Sequence, residues 1–411
     1  MKETIVLILG GGADQIALIK SIRQIIYNCR IILLDYLANP IAKSFADTHI
    51  QESTLDKERA LAIAKEQNID YVITACTDQA LLTMAYISEQ LNLPCYLTYE
   101  QALALTNKLY MKQRMVASNI PTSKYICVNK DFQIEQLSTF SYPLVVKPVD
   151  SNSSKGVKKI HTPNELREAI TDALNFSITR KAIVEEFKSG EELSVDIYIE
   201  GSTAKLLSIT ASKKVKHSNA FTIIQSYYPA PIAYKEDKIL EIAQKIAEAF
   251  ELRDTPLLIQ MIVDKEEYNV IEFSARMGGG SKYHLIEVLS GIDIMNVYVN
   301  MILGKQPKVA PQKMVNSAIM NYIYCYPGTY THITGINKLK EESCIEEAFV
   351  YKSPYAHFEK ASNSSDRVAG FLIVGDNSHE VKEKLIKAND SIKVIDENGK
   401  DIMRHDFFYQ Q

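Results

Sequence analysis

The sequence predicts a multidomain chain of mixed α/β and α+β class. An N-terminal doubly wound parallel sheet (about 1–100) leads to a two-lobed central body (about 101–305) and a C-terminal α+β portion (306–411). Three observations support this. Strand and helix patterns alternate over the first hundred residues, as in parallel sheets. Further on, strand patterns come in pairs joined by short polar turns, an antiparallel signature. The length, 411 residues, exceeds what one hydrophobic core usually organises.

The elements justify themselves in order. Thr4–Leu9 is apolar and β-branched, runs into Gly10-Gly11-Gly12, and is followed by the helical spacing of Ala13–Ile25. A second buried strand ends at Asp35. The helix around 55–67 leads to a strand, Tyr71–Cys76, and then to a helix with Thr77 and Asp78 near its start. Leu93–Leu97 reads as a further short strand. Asn107–Pro121 is a helix ended by its proline. Residues 142–160 read strand, polar loop, strand. The helix at 164–176 has Asn164 in its cap region. Strands at 181–187 and 191–200 are joined by Lys188-Ser189-Gly190, and another strand follows at 205–215. Residues 237–250 form a strongly amphipathic helix, apolar at Ile239, Leu240, Ile242, Ala243, Ile246 and Phe250. Two strands, 256–264 and 268–276, flank the charged turn Lys265-Glu266-Glu267 and make a hairpin. The tail opens with Pro307 and Pro311, holds three strand-like stretches, and sets a helix at 379–390 before a last strand.

Composition excludes several classes. With 46% hydrophobic and 23% charged residues the chain is neither disordered nor fibrous. No stretch approaches the ~20 apolar residues of a membrane span, and the short apolar run at the N-terminus lacks a cleavage-site pattern. A net charge of −4 argues against nonspecific nucleic-acid binding. Six dispersed cysteines, at 29, 76, 95, 127, 325 and 344, form no CxxC pair or Cys/His cluster. A cytoplasmic protein with reduced thiols is the expectation.

The glycine turn at 10–12 departs from GxGxxG. A nicotinamide reading would use Asp35 on a ribose, yet nothing else supplies a hydride-transfer site. A stronger signal is a set of residues in fixed order. Lys108 sits in a helix, and Lys147 ends a strand before Pro148. A small-residue loop follows, Asp150-Ser-Asn-Ser-Ser-Lys-Gly156. Then come Glu185-Glu186-Phe187 and Gly190-Glu191-Glu192, and finally Glu272-Phe-Ser-Ala-Arg276 with Gly278–Gly280.

This order resembles the ATP-grasp superfamily of carboxylate–amine ligases. The similarity is greatest to the branch of biotin carboxylase, phosphoribosylglycinamide synthetase, carbamoyl phosphate synthetase and bacterial L-amino-acid ligases. It extends over the whole chain, with the specific motifs between 108 and 280. It implies an ATP-grasp fold for the central body, with ATP and Mg²⁺ between its lobes. Lys108 and Lys147 match the two ATP lysines. The 150–156 loop matches the flap over the phosphates, with Ser153, Ser154, Lys155 and Gly156 where glycines are more usual. Glu185, Glu186, Phe187 and Lys188 match the hinge that reads adenine, and Glu192 the ribose acid. Alternation along the strand puts Glu191 and Glu192 on opposite faces, so that only one points into the cleft.

Glu272 matches the bridging metal ligand. Ser274 stands where asparagine is usual and Gln260 where an acid is, which weakens a second metal site. Arg276 matches the arginine that steadies carboxylate or phosphoryl oxygens, with Lys155 as the flap's cation. On the substrate side the candidates are Gly279, Gly280, His217, Thr77 and Asp78. The implied reaction activates a small carboxylate as an acyl phosphate and joins it to an amine. Two alternatives stand beside it: a carboxylase or carbamoyl-phosphate-like reaction from bicarbonate, and an ATP-binding regulatory protein without turnover. Related enzymes are often dimers, so a homodimer is expected, though the sequence carries no interface signature.

Overall fold

A computed structural model describes residues 2–151, 155–215, 222–359, 361 and 363–408. Ser153, Ser154 and His217 lie outside these.

The N-terminal unit is a four-stranded parallel sheet in the order β3-β2-β1-β4: β1 (Thr4–Leu9), β2 (Cys29–Asp35), β3 (Thr48–Gln51) and β4 (Tyr71–Ile73). Helices α1 (Ala13–Ile25), α2 (Lys57–Glu66) and α3 (Asp78–Leu91) accompany it. Such continuous apolar strands are what a sheet covered on both faces requires. The strand expected at 93–97 does not form; that segment leads irregularly into α4 (Tyr99–Thr106). Its residues pack as side chains, with Leu97 buried and Tyr96 donating its hydroxyl to the Ala275 carbonyl at 3.0 Å. Asp35 accepts from the Gly11 and Leu37 amides, so its carboxylate shapes the glycine turn.

After α5 (Lys108–Ala117) the chain builds a small lobe: β5 (Tyr125–Val128), β6 (Leu144–Pro148), β7 (Lys158–Ile160), α6 (Pro163–Phe176) and β8 (Ala182–Glu186). The strands form an antiparallel sheet in the order β5-β8-β6-β7. Its apolar core draws only on residues of this segment, from Ile126 to Val184. The N-cap of α6 is Thr162, and Asn164 falls inside the helix because Pro163 takes the first helical position, where its missing N–H costs nothing.

The other lobe is one eight-stranded sheet, β13-β12-β9-β10-β11-β14-β18-β16. It comprises β9 (Glu191–Glu200), β10 (Thr203–Lys214), β11 (Ile223–Tyr228), β12 (Thr255–Asp264), β13 (Glu267–Ser274), β14 (Ser317–Ile323), β16 (Glu347–Val350) and β18 (Ala369–Gly375). The tail's strands thus extend the body's own sheet, and the boundary expected near 305 is crossed by continuous hydrogen bonding between β11 and β14. A small sheet, β17-β15-β19, made of β15 (Gly328–Thr334), β17 (His357–Phe358) and β19 (Lys393–Asp396), completes the tail with α10 (Ile336–Glu341) and α11 (Ser378–Ser391).

Helix α7 (Glu236–Ala249) buries Ile239, Ile242, Ala243, Ile246 and Ala247 against β9, β10 and β12, in a core shared with Leu193, Ile197 and Ile259. Helices α8 (Lys282–Ser290) and α9 (Ile294–Ile302) lie on the side facing the N-terminal unit. There Val6, Ile8, Leu18 and Ile22 share a core with Tyr198, Ile294 and Tyr298. Tyr298 donates to the Thr74 carbonyl at 2.6 Å and meets Tyr96 edge-on. This packing fixes the start of α3 against the end of β13. Among the described residues no single helix is long and apolar enough to cross a membrane.

Ile246 is fully buried under the large sheet. Ile246→Ala should therefore cost about 2–5 kcal/mol, read as a lower denaturant midpoint at unchanged slope.

Candidate active site

The two lobes face each other across a cavity of about 350 Å³. Its wall includes Lys108, Lys147, Glu185 to Lys188, Glu191, Glu192, Lys214, Gln260 and Glu272. A smaller pocket continues from it through Lys108, Ser151, Gln260 and Glu272 to Asp78, Ser274 and Arg276. Lys108 is the first residue of α5, and its amide donates to the Val149 carbonyl. Its Nζ donates to the Ser151 carbonyl at 2.7 Å and lies 3.2 Å from Glu272. Burial alone would raise the Glu272 carboxyl, but Lys108 and Lys147 hold it below the usual range.

On the small lobe, Lys147 sits 2.6 Å from one oxygen of Glu185. Lys112, one turn beyond Lys108 on α5, sits 2.7 Å from the other and donates to Thr122 at 2.6 Å. Lys112 and Lys147 are 1% and 3% exposed, so the carboxylate between them is what permits two buried cations. Burial opposes ionisation of Glu185, yet the two ammonium groups hold its pKa at about 2. The Glu185 carboxylate is thus held between the two lysines. Lys112 was missed in the sequence; the signal was its i+4 spacing from Lys108, which puts both on one helix face.

The rest of the expected hinge borders the cavity differently. Glu186 accepts from the Ser141 amide at 3.2 Å, and the Phe187 amide donates to the Pro143 carbonyl. The Phe187 ring lies under Lys159, 3.5 Å from Nζ to centroid. Both Glu191 and Glu192 border the cavity, and the β9–β12 register runs unbroken through them. Gly190, just before the strand, has a φ of +132°. Glu192 pairs with Lys214, and Glu191 accepts from Tyr227 at 2.9 Å. In the flap, Gly156 packs so tightly that a Cβ would meet Phe176 at 2.7 Å; Lys155 is exposed.

At the other end Arg276 grips Asp78 through two bonds, Nε to Oδ1 at 2.6 Å and a second guanidinium nitrogen to Oδ2 at 2.5 Å. Burial would raise the Asp78 carboxyl, but Arg276 and the adjacent buried Ser274 hydroxyl bring it below its ordinary value. Thr77 caps α3 without a side-chain cap bond and turns its hydroxyl to the Ala75 carbonyl. The amide of Gly280, expected to face a substrate anion, donates to Asp14 of α1 at 3.3 Å, and the neighbouring Ser281 amide does so at 2.9 Å. Gly279 packs toward the Cys76 carbonyl. The loop is anchored from below by Lys282, which donates to Ser194 and Thr210 at 2.6 and 2.9 Å and sits 3.3 Å from Asp196. Neither Asp14 nor Lys282 carries a local sequence signal.

Gln260 and Glu272 are direct cross-strand partners in the β12–β13 hairpin. Among the described residues no group of three His, Cys, Asp or Glu side chains could hold a metal. The donor set suits one hard cation bound by Glu272 and completed by phosphate oxygens.

A small antiparallel lobe faces a large sheet, and lysines from both lobes converge on the gap, an arrangement similar to that of ATP-grasp proteins. Residues 140–283 match the family model described as "ATP-grasp domain". The chain is 24% identical over 355 residues to the "L-arginine-specific L-amino acid ligase" of Bacillus subtilis, covering 82% of each. Among solved structures it resembles the L-amino acid ligase of Bacillus licheniformis (TM-score 0.77, 20% identity, 97% of this chain and 100% of that one). It also resembles phosphoribosylglycinamide synthetase of Anaerococcus prevotii (TM-score 0.74, 21% identity, 96% and 100%).

Because Glu185 ionises at about 2 when folded and near 4.5 when free, its stabilisation is full above pH 4.5 and is lost as pH falls toward 2. Glu185→Gln should cost about 3–5 kcal/mol at pH 7 by leaving two lysines unpaired. The gap from wild type, measured by denaturant unfolding, should narrow as pH drops below 4.5.

Proposed function

We propose that this chain, an ATP-dependent ligase forming carbon–nitrogen bonds, activates a small carboxylate as an acyl phosphate and couples it to an amine. The observation that carries the reading is the adjacency of the two pockets. The lysine-lined cavity and the pocket of Arg276 share a wall made of Lys108, Ser151, Gln260 and Glu272. A triphosphate bound by Lys108 and Lys147 then points its terminal phosphorus at the arginine end. A carboxylate oxygen attacks that phosphorus and the bond to the β-phosphate oxygen breaks, releasing ADP. The amine nitrogen next attacks the acyl carbon, loses a proton, and phosphate leaves. The chain's part is positioning and charge neutralisation. Glu192 and Lys214 border the nucleoside end, and Lys155 brings the flap's charge. Magnesium on Glu272 would neutralise phosphate oxygens.

Relatives support the substrate class: one is an L-amino acid ligase, another a phosphoribosylamine–glycine ligase. An amino acid is the favoured carboxylate. A cytoplasmic setting agrees with six cysteines outside any disulfide. Gln260 and Ser274 favour a second reading, an ATP-binding protein without turnover.

Phosphate release from Mg-ATP, screened over pools of small carboxylates with and without amines, separates the two. Release should need one of each, and Glu272→Ala should lower kcat about 100-fold or more. ATP binding with silence across all pools would favour the second reading.

A further inference from the structure

A second cavity, of about 370 Å³, opens on the small lobe between α6 and the loop that follows β5. It shares no wall residue with the lysine-lined cleft or with the pocket of Arg276. Ile170 and Leu174 of α6 give it apolar surface, joined by Phe132 and the exposed Ile134 of the loop. Its charged wall residues are Lys130, Arg167 and Arg180, all of them cations.

Among the described residues no carboxylate lies within ion-pair distance of these three. The acids of α6 are engaged elsewhere. Glu168 and Asp172 pair with Lys158, and Glu165 accepts from the Thr162 hydroxyl and the His161 amide. Asp131 and Glu135, on the same loop as Lys130, are not part of the wall. An apolar hollow of this size, rimmed by charge of one sign, complements a small ligand with an anionic head and an apolar body.

The turn that ends α6 ties this cavity to the cleft. Arg180 holds a φ of +54°, uncommon for a residue with a Cβ. Its guanidinium donates to the Leu174 carbonyl at 3.3 Å and to Asn175 Oδ1 at 3.2 Å. On the other side of the turn the Ile178 and Thr179 amides donate to the Asp150 carboxylate at 3.2 and 2.9 Å. The Val149 amide donates to the Lys181 carbonyl at 3.3 Å. Val149 and Ser151 in turn accept from Lys108 of the cleft, from its amide and its Nζ, at 2.7 Å each. A ligand that fixes Arg180 therefore acts, through this turn and the 149–151 backbone, on Lys108. A turn already fixed by one ligand leaves less to order when a second binds.

We propose that the cavity is an effector site for a small amphipathic anion, an aromatic or acyl carboxylate, whose binding strengthens nucleotide binding in the cleft. The proposal does not depend on the ligase reading, because its readout is nucleotide affinity and not turnover.

The test uses probe pairs that differ only in charge: 2-naphthoate against 2-naphthamide, and octanoate against octanamide. Calorimetry is run on wild type, Arg167→Glu and Ile134→Glu, with Mg-ADP saturating so that the cleft is filled. Both substitutions fall at exposed positions. Wild type should bind the anionic member of one pair about tenfold tighter or more, and both variants should lose that preference. Preference for naphthoate identifies an aromatic body, and preference for octanoate an acyl chain. The Mg-ADP dissociation constant is then measured with and without the preferred anion. It should fall about fivefold in wild type and stay unchanged in Arg167→Glu. Equal binding of charged and neutral members, or a charge preference that both variants keep, would overturn the site. A preference lost in both variants, with Mg-ADP affinity indifferent to the anion, would overturn the effector role. Mg-ADP binding weakened alike in wild type and Arg167→Glu would put the probe in the cleft and overturn the proposal.

Discussion

A cleft built to hold a triphosphate must collect positive charge out of water, and such a collection repels itself. In this protein carboxylates resolve the conflict locally. Glu185 lies between Lys112 and Lys147, Glu272 against Lys108, Glu192 against Lys214, and Asp78 against Arg276. The lobe geometry follows from these pairs as much as from apolar packing. They hold side chains from α3, α5, β6, β9 and β13 at one gap. An incoming polyanion does not meet bare cations; it exchanges partners with groups already in place. That exchange limits the gain from each contact while keeping the arrangement preorganised.

Much of this was legible in the sequence where the signal is local. Strand–helix alternation gave the parallel sheet, the charged turn at 265–267 gave the β12–β13 hairpin, and the apolar stripe of α7 gave its buried face. The order Lys108, Lys147, Glu185, Glu272, Arg276 pointed to residues that do converge. What escaped is non-local. Nothing near Asp14 says that its carboxylate will meet the amides of Gly280 and Ser281, 266 and 267 residues away. Strand period says nothing of sheet membership, so the tail's union with the body was hidden, as were β11 and β15. Leu93–Leu97 shows the opposite failure: its apolar content buries side chains against a neighbouring unit without pairing backbone.

The departures at Gln260 and Ser274 gain meaning from their surroundings. Gln260 faces Glu272 directly across the hairpin, where two carboxylates would repel one another unless a cation lay between them. Ser274 is buried beside Asp78, and an asparagine there would crowd a carboxylate already gripped by Arg276. The pair of changes therefore suits a centre with fewer acidic ligands and an arginine held from the N-terminal unit.

The small lobe joins the remainder through two short stretches of chain, 118–124 and 187–190, and its apolar core is entirely its own. By hydrophobic accounting it is a detachable module, free to be exchanged as a cassette between related proteins. Charge forbids that independence. Lys112 belongs to the other side of the hinge, and its counterion, Glu185, belongs to the cassette. A swapped lobe lacking an acid at that position would strand a buried lysine in its host. Recombination at this hinge is thus compatible only between parents that share the same ionic key.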